Sequence, residues 1–228
     1  VSYGHQVGGL VGRTNDSDAE TDQTTDKAII RNCWFDGNLS LKGETTVYGG
    51  GIVGYLFRGD LDMSHCLNTG NLSTETTGRA LHFGGVIGSA YNYGTLNLTD
   101  SLSTGILDVN YSIGVGSVIG RVSCEKQDQR IVNITDTYVL ADSYEVPVGT
   151  SAATAKINGA PAPLKEEFLT GYTVYQWTSL DFADNWAVVD GDTPILQKFA
   201  TSVPSVAGQK KMINLDWYNL DAKKYEIE

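Results

Sequence analysis

Four glycine-framed boxes constrain this chain more than anything else in it: GGLVG at 8–12, GGIVG at 50–54, GGVIG at 84–88 and GSVIG at 116–120. A second related segment follows each box: AIIRNCWFDGNLSL (28–41), LDMSHCLNTGNLST (61–74), LNLTDSLSTGILDV (96–109) and VNITDTYVLADSYE (132–145). Stacked, these give apolar columns Ala28/Leu61/Leu96/Val132 and Ile30/Met63/Leu98/Ile134. They also give a small column, Cys33/Cys66/Ser101/Thr137, and a glycine column, Gly37/Gly70/Gly105, that ends at Ala141. Apolar residues two apart, closed by a glycine turn, are the pattern of short strands. A unit this small cannot bury its apolar face alone, so copies must stack, like on like, at a strand spacing of roughly 4.8 Å. The expected fold is therefore all-β, a parallel β-helix (β-solenoid) of about four coils, one for each box. A β-sandwich would not need identical residue columns.

The pairs GGLVG with RNCWFDGNLS, and GGIVG with SHCLNTGNLS, resemble the GLUG motif, and the resemblance covers roughly residues 4–145. Later units depart from the motif: Ser101 and Thr137 stand where it has cysteine, and Ser117 where it has glycine. The resemblance implies a segment of a long bacterial surface protein, adhesin-like or the non-catalytic part of an immunoglobulin A protease. It is specific for architecture and nearly silent on activity.

The repeats are assigned to residues 1–145, and the columns are expected to fail beyond Ser143. Residues 146–199 are read as a last coil and a C-terminal aromatic cap, covering strand edges and apolar side chains that an open solenoid end would expose. Within them PAPLKEEFLTG (161–171) reads as a short helix, with Pro163 in its first turn, Glu166 and Glu167 at its positive end and Gly171 just past it. Trp177, Phe182, Trp186, Ile195 and Leu196 supply the cap's apolar residues around an Asp-Gly turn. Residues 200–212 read as a linker and 213–228 as the start of a following module. The native chain is expected to begin before Val1 and to continue past Glu228.

Charge narrows the partners. With a formal net charge of -11 and a pI near 4.6, the surface repels phosphate backbones and anionic lipid, which argues against nucleic-acid and membrane-surface partners. The sequence has no 18-residue apolar span, so no membrane insertion is expected in this segment. Its three cysteines contain no CxxC pair, too few for a disulfide scaffold and too widely spaced for a zinc site.

Candidate sites are few. Arg58-Gly59-Asp60 is the tripeptide that adhesion proteins present to integrins, a receptor-binding candidate. It also has a plain explanation as a turn: Gly59 aligns with Gly94 before a strand, where positive φ or close approach is needed. The insertion RTNDSDAETDQTTDK (13–27) offers Asp16, Asp18, Glu20 and Asp22, with Asp26, as oxygen ligands for calcium, or is simply a solvated loop. His5, His65 and His82 are scattered. His65 shares a column with Asn32, Asp100 and Asp136, which reads as a polar corner. GVGSVIG (114–120) has the wrong glycine spacing for a dinucleotide loop, and no helix is expected after it. Cys33 and Cys66, one coil apart, read as two reduced core thiols. Sequons such as Asn97-Leu-Thr99 and Asn133-Ile-Thr135 fit outward strand positions of the repeat.

The expected function is a non-enzymatic segment of a large bacterial cell-surface or secreted protein, a stalk or adhesin-like scaffold needing no cofactor unless calcium. It would meet a host or cell-surface protein, or a glycan, while joined to the rest of a longer chain. Two alternatives remain. One is integrin-type binding through Arg58, Gly59 and Asp60. The other is a carbohydrate-binding or polysaccharide-degrading β-helix, using Trp34, Tyr91, Tyr93 or Tyr138 for binding, or the pair Asp100 and Asp136 for cleavage.

Overall fold

A computed structural model describes residues 6–14, 27–41, 46–74, 81–109 and 114–202. Residues 15–26 of the acidic insertion, with Asp16, Asp18, Glu20, Asp22 and Asp26, as well as His5 and the segments beyond residue 202, lie outside the described residues. The described chain divides into two compact units, one through Lys165 and one from Glu166 onward.

In the first unit each repeat contributes strands in the same order. The first gives β1 (Gln6–Gly8), β2 (Val11–Thr14), β3 (Lys27–Phe35) and β4 (Asn38–Leu41). The second gives β5 (Val47–Gly50), β6 (Val53–Leu56), β7 (Asp60–Asn68) and β8 (Asn71–Thr74). The third gives β9 (Leu81–Gly84), β10 (Ile87–Tyr91), β11 (Gly94–Ser103) and β12 (Leu107–Asp108). The fourth gives β13 (Gly114–Gly116), β14 (Ile119–Ser123) and β15 (Arg130–Leu140), after which come β16 (Val148–Ser151), β17 (Lys156–Asn158) and β18 (Ala162–Leu164).

Among the described residues, equivalent strands line up as four parallel sheets: β1-β5-β9-β13, β2-β6-β10-β14-β16, β3-β7-β11-β15-β17 and β4-β8-β12. The registers are those of the sequence columns. Ala28 pairs with Leu61, Leu61 with Leu96 and Leu96 with Val132, while Ile30, Met63, Leu98 and Ile134 follow two residues on. Pairing does not stop near Ser143, because β16 joins β14 and both β17 and β18 join β15.

Glycine sets how the first two sheets meet. A Cβ on Gly88 would lie 2.6 Å from the Gly49 carbonyl oxygen, and one on Gly120 would lie 2.4 Å from that of Phe83. The sheets therefore touch backbone to backbone, as only glycine allows, and two buried clusters form among the described residues of this unit. Ile52, Val53, Leu56, Leu61, Met63 and Leu98 belong to one buried cluster; Leu41, Leu72, Leu81 and Phe83 belong to the other. Burying each such side chain stabilises the fold by roughly 1.5–3 kcal/mol.

The long strands bend at one column. Asn32, His65, Asp100 and Asp136 all have positive φ, between 45° and 53°. The Cα pairing of β3 with β7 and of β11 with β15 passes over them. Asn and Asp tolerate this conformation through local hydrogen bonds, which explains the polar column. The small column follows it for a related reason. Cys66 Sγ donates to the Ser64 carbonyl (3.4 Å), Ser101 Oγ to that of Thr99 (2.8 Å) and Thr137 Oγ1 to that of Thr135 (3.0 Å). Each donor spans the bend, so a thiol and a hydroxyl are interchangeable there. Cys33, Cys66 and Cys124 are free thiols.

The second unit opens with α1 (Glu166–Leu169), shorter than the helix expected over 161–171. Pro163 is not in its first turn; it lies in β18, paired with Val139. A short terminal strand accepts a residue lacking an N–H, which wins over its suitability for a helix start. After α2 (Val174–Trp177), the hairpin of β19 (Trp186–Val189) and β20 (Asp192–Leu196) closes through Asp190-Gly191, where Gly191 has φ +69°. Leu169, Val174, Phe182, Trp186, Ile195 and Leu196 are buried. Gln197 Nε2 donates to the carbonyls of Phe182 (2.9 Å) and Trp186 (3.0 Å), tying the hairpin to the preceding loop. Trp177, the first of the cap's apolar residues, is 49% exposed and stacks on Phe168 at 4.2 Å. Among the described residues, no helix is long and apolar enough to cross a membrane.

Candidate functional site

Arg58-Gly59-Asp60 lies at the start of β7. Gly59 is buried with φ +78°, and Gly94, at the same place in the third repeat, has φ +110°. The Asp60 carboxylate accepts the Thr95 N–H at 2.7 Å. The Arg58 guanidinium lies over the rings of Phe57 (4.6 Å) and Tyr93 (5.7 Å). All three residues thus have work inside the fold.

Beneath this turn lies a residue the sequence reading passed over. In the fourth repeat the position of Gly94 is taken by Arg130. Its side chain is fully buried, Nη1 donating to the Gly59 carbonyl (3.1 Å) and Nη2 to that of Tyr91 (2.8 Å). Burial brings its pKa down to about 10, opposed by the Asp60 carboxylate, so it remains a cation at neutral pH. The signal was available: an arginine in a glycine column has to go somewhere.

The bend column carries the two carboxylates weighed for polysaccharide cleavage. Asp100 pairs with His65 (Nε2 to Oδ2, 3.3 Å), and Asp136 follows one repeat on. Among the described residues, no group of three or more His, Cys, Asp and Glu side chains is placed to hold a metal ion. Of the aromatic candidates, Trp34 donates its indole N–H to Thr69 Oγ1 (2.8 Å), and Tyr138 is buried rather than exposed. Tyr91 donates to Glu125 Oε1 (3.0 Å), and Tyr93 lies under Arg58.

A further group converges where the first and second sheets face each other beyond the glycines. Tyr48 on β5 stacks on Tyr55 of β6 at 4.3 Å. One repeat on, register puts His82 beside Tyr48 and Ser89 beside Tyr55; in the next, Gly114 follows His82 and Arg121 follows Ser89. The stacked tyrosines thus give way to His82/Ser89 and then to Gly114/Arg121. His82 is 4% exposed and Ser89 fully buried, and neither His82 Nδ1 nor Ser89 Oγ has a hydrogen-bond partner among the described residues. Burial, with the Arg121 charge nearby, brings the His82 pKa down to about 4, so the ring is neutral at pH 7. Arg121 lies over the Tyr91 ring (5.5 Å) and donates to Ser123 Oγ (3.3 Å). These positions flank each glycine box at fixed offsets, so an alignment reads them one at a time; that they face each other follows only from the chain folding back at the box.

Comparison of the chain with known protein families, with curated proteins and with solved structures finds no match in any of the three.

Proposed function

We propose that the parallel sheets are the faces of one continuous GLUG-type β-solenoid, serving as a non-enzymatic stalk or adhesin-like scaffold in a bacterial cell-surface or secreted protein. The observation that carries this reading is pairing by repeat: equivalent strands of successive repeats join in chain order, in all four parallel sheets formed by the described residues. Stacking of that kind makes length proportional to repeat number, which is the property a spacer needs. The outward turns remain free to vary and to meet a host protein or glycan. A cleaving enzyme is supported less well, because the Asp100 carboxylate is already engaged by His65.

The spacer reading is tested by inserting four further copies of residues 97–132 between Val132 and Asn133 and measuring small-angle scattering. The longest dimension should grow by roughly 20 Å, one strand spacing for each added copy. Unchanged length, or loss of cooperative unfolding, removes the basis for a stalk.

A further inference from the structure

We propose that Cys33 and Cys66 are a dithiol that closes to a disulfide when the chain meets an oxidising disulfide, clamping the first repeat to the second. The inference stands on strand register and side-chain contact, and it does not depend on the scaffold reading.

The first observation is placement. Cys33 on β3 and Cys66 on β7 are register partners in parallel strands. Strands so paired lie roughly 4.8 Å apart, inside the span of about 4.4–6.8 Å between the Cα atoms of a disulfide. Both side chains turn to the same side: Cys66 belongs to a buried cluster and Cys33 packs against it. The two thiols are hydrogen-bonded to each other, and Cys66 Sγ reaches across to the Ile30 carbonyl of β3 at 3.8 Å. Cys33 is half-buried and Cys66 buried, so an outside reagent meets Cys33 first.

The second observation is where the pair stands. In the first repeat Leu41 alone among the described residues is buried, whereas Ile52, Leu56, Leu61 and Met63 of the second are all buried. The box residue Leu10 is 47% exposed and its equivalent Ile52 0%. A repeat packed this loosely opens more readily than its inner neighbours. Ser101 and Thr137 fill the same column in the third and fourth repeats, so a bridge in that column can join only the first repeat to the second.

The chemistry balances as two exchanges with a small disulfide such as oxidised glutathione. Contact with Cys33, then burial, pushes the Cys66 thiol up, so Cys33 attacks first. Cys33 Sγ bonds one glutathione sulfur, and the other leaves as a thiol carrying the proton. Cys66 Sγ then attacks Cys33 Sγ, which breaks the mixed bond and releases the second glutathione thiol. Two protein thiols are oxidised, and one disulfide is reduced to two thiols.

The test incubates the full chain with oxidised glutathione, quenches it in acid, alkylates the remaining thiols and maps the tryptic peptides. The peptides bearing Cys33 and Cys66 should be joined, about 2 Da lighter than their reduced sum, with Cys124 alkylated and no glutathione retained. In Cys66→Ser, which places the third repeat's residue in that column, glutathione should stay on Cys33. In the oxidised protein, amide hydrogen exchange in β3 should slow at least roughly tenfold, while that of β15 matches the reduced protein. Glutathione left on Cys33 of the parent chain, a bridge to Cys124, or three alkylated thiols overturns the proposal. So does unchanged exchange in β3, or a Cys66→Ser protein that folds and keeps no glutathione. Should Cys66→Ser fail to fold, the parent's peptide map and exchange decide alone.

Discussion

The side-chain amide of Asn133 donates to Asn97 Oδ1 at 2.7 Å, across the neighbouring strands β15 and β11. The contact repeats on both sides: Asn97 donates to Asp62 (2.8 Å) and Asn158 to Asn133 (2.8 Å). The Lys27 ammonium, followed by the Asn97 amide, holds the Asp62 carboxyl below its usual range. A one-residue slip of any strand would break its rung and turn its apolar residues outward, so the ladder reports the register that the buried columns impose. Two of its members are the asparagines of apparent sequons, and their amides serve the ladder.

Replacing Asn97 by Ala should cost about 1–2 kcal/mol in denaturant unfolding, from two lost rungs. Asn97→Asp should cost more at pH 7, where its carboxylate would face that of Asp62. The excess should fade as both carboxyls take up protons below about pH 4. Equal losses for the two variants at pH 7 would contradict the ladder.

Arg130→Met keeps the bulk but leaves the Gly59 and Tyr91 carbonyls without their buried donor. A loss of about 3 kcal/mol is expected. Arg130→Lys should recover less than half of it, because a single ammonium does not reproduce the planar fork that reaches both oxygens. The check is a comparison of unfolding midpoints and slopes for the three proteins.

At the bend, His65 has φ +52°. Asn occupies the same place in the first repeat, so His65→Asn should stay within about 1 kcal/mol of the parent. A β-branched residue is strained at positive φ, and His65→Val should lose roughly 1–3 kcal/mol. The ordering of the two melting temperatures decides it.

His82 makes stability depend on pH. Its folded pKa of about 4 lies below the ordinary histidine value of 6.5, so between these values the unfolded chain holds more protons. The His82 contribution is intact above pH 6.5 and is lost as pH falls toward 4, with a slope of up to about 1.4 kcal/mol per pH unit. His82→Gln should flatten the unfolding free energy over that window, and an unchanged slope would contradict a buried neutral ring.

The apolar columns were legible because parallel in-register stacking turns a sequence period into a spatial one, as Leu61, Leu96 and Val132 illustrate. The polar corner at Asn32, His65, Asp100 and Asp136 was legible for the same reason, although its positive φ was not. The place of Arg130 in the Gly59/Gly94 column was legible, but its partners were not, because they lie one and two repeats away and a side chain's reach leaves no mark in spacing. The grouping of His82 with Ser89 was missed because it joins two columns that face each other only once each box folds the chain back. Pro163 misled because the rules for helix starts apply equally to a chain that is still pairing as a strand.

The most direct test of repeat-by-repeat pairing is a matched pair of deletions inside a strand. Leu96 and Val132 are register partners, so removing residues 97–132 joins Leu96 to Asn133 with every column kept. Removing 97–133 joins it to Ile134 and shifts the rest of the strand by one residue, which exchanges buried and exposed faces. Urea unfolding followed by far-ultraviolet circular dichroism should show a cooperative transition for the first protein and its loss for the second. If the two proteins behave alike, whether both folded or both unfolded, register-matched pairing of the repeats is not what holds this chain together.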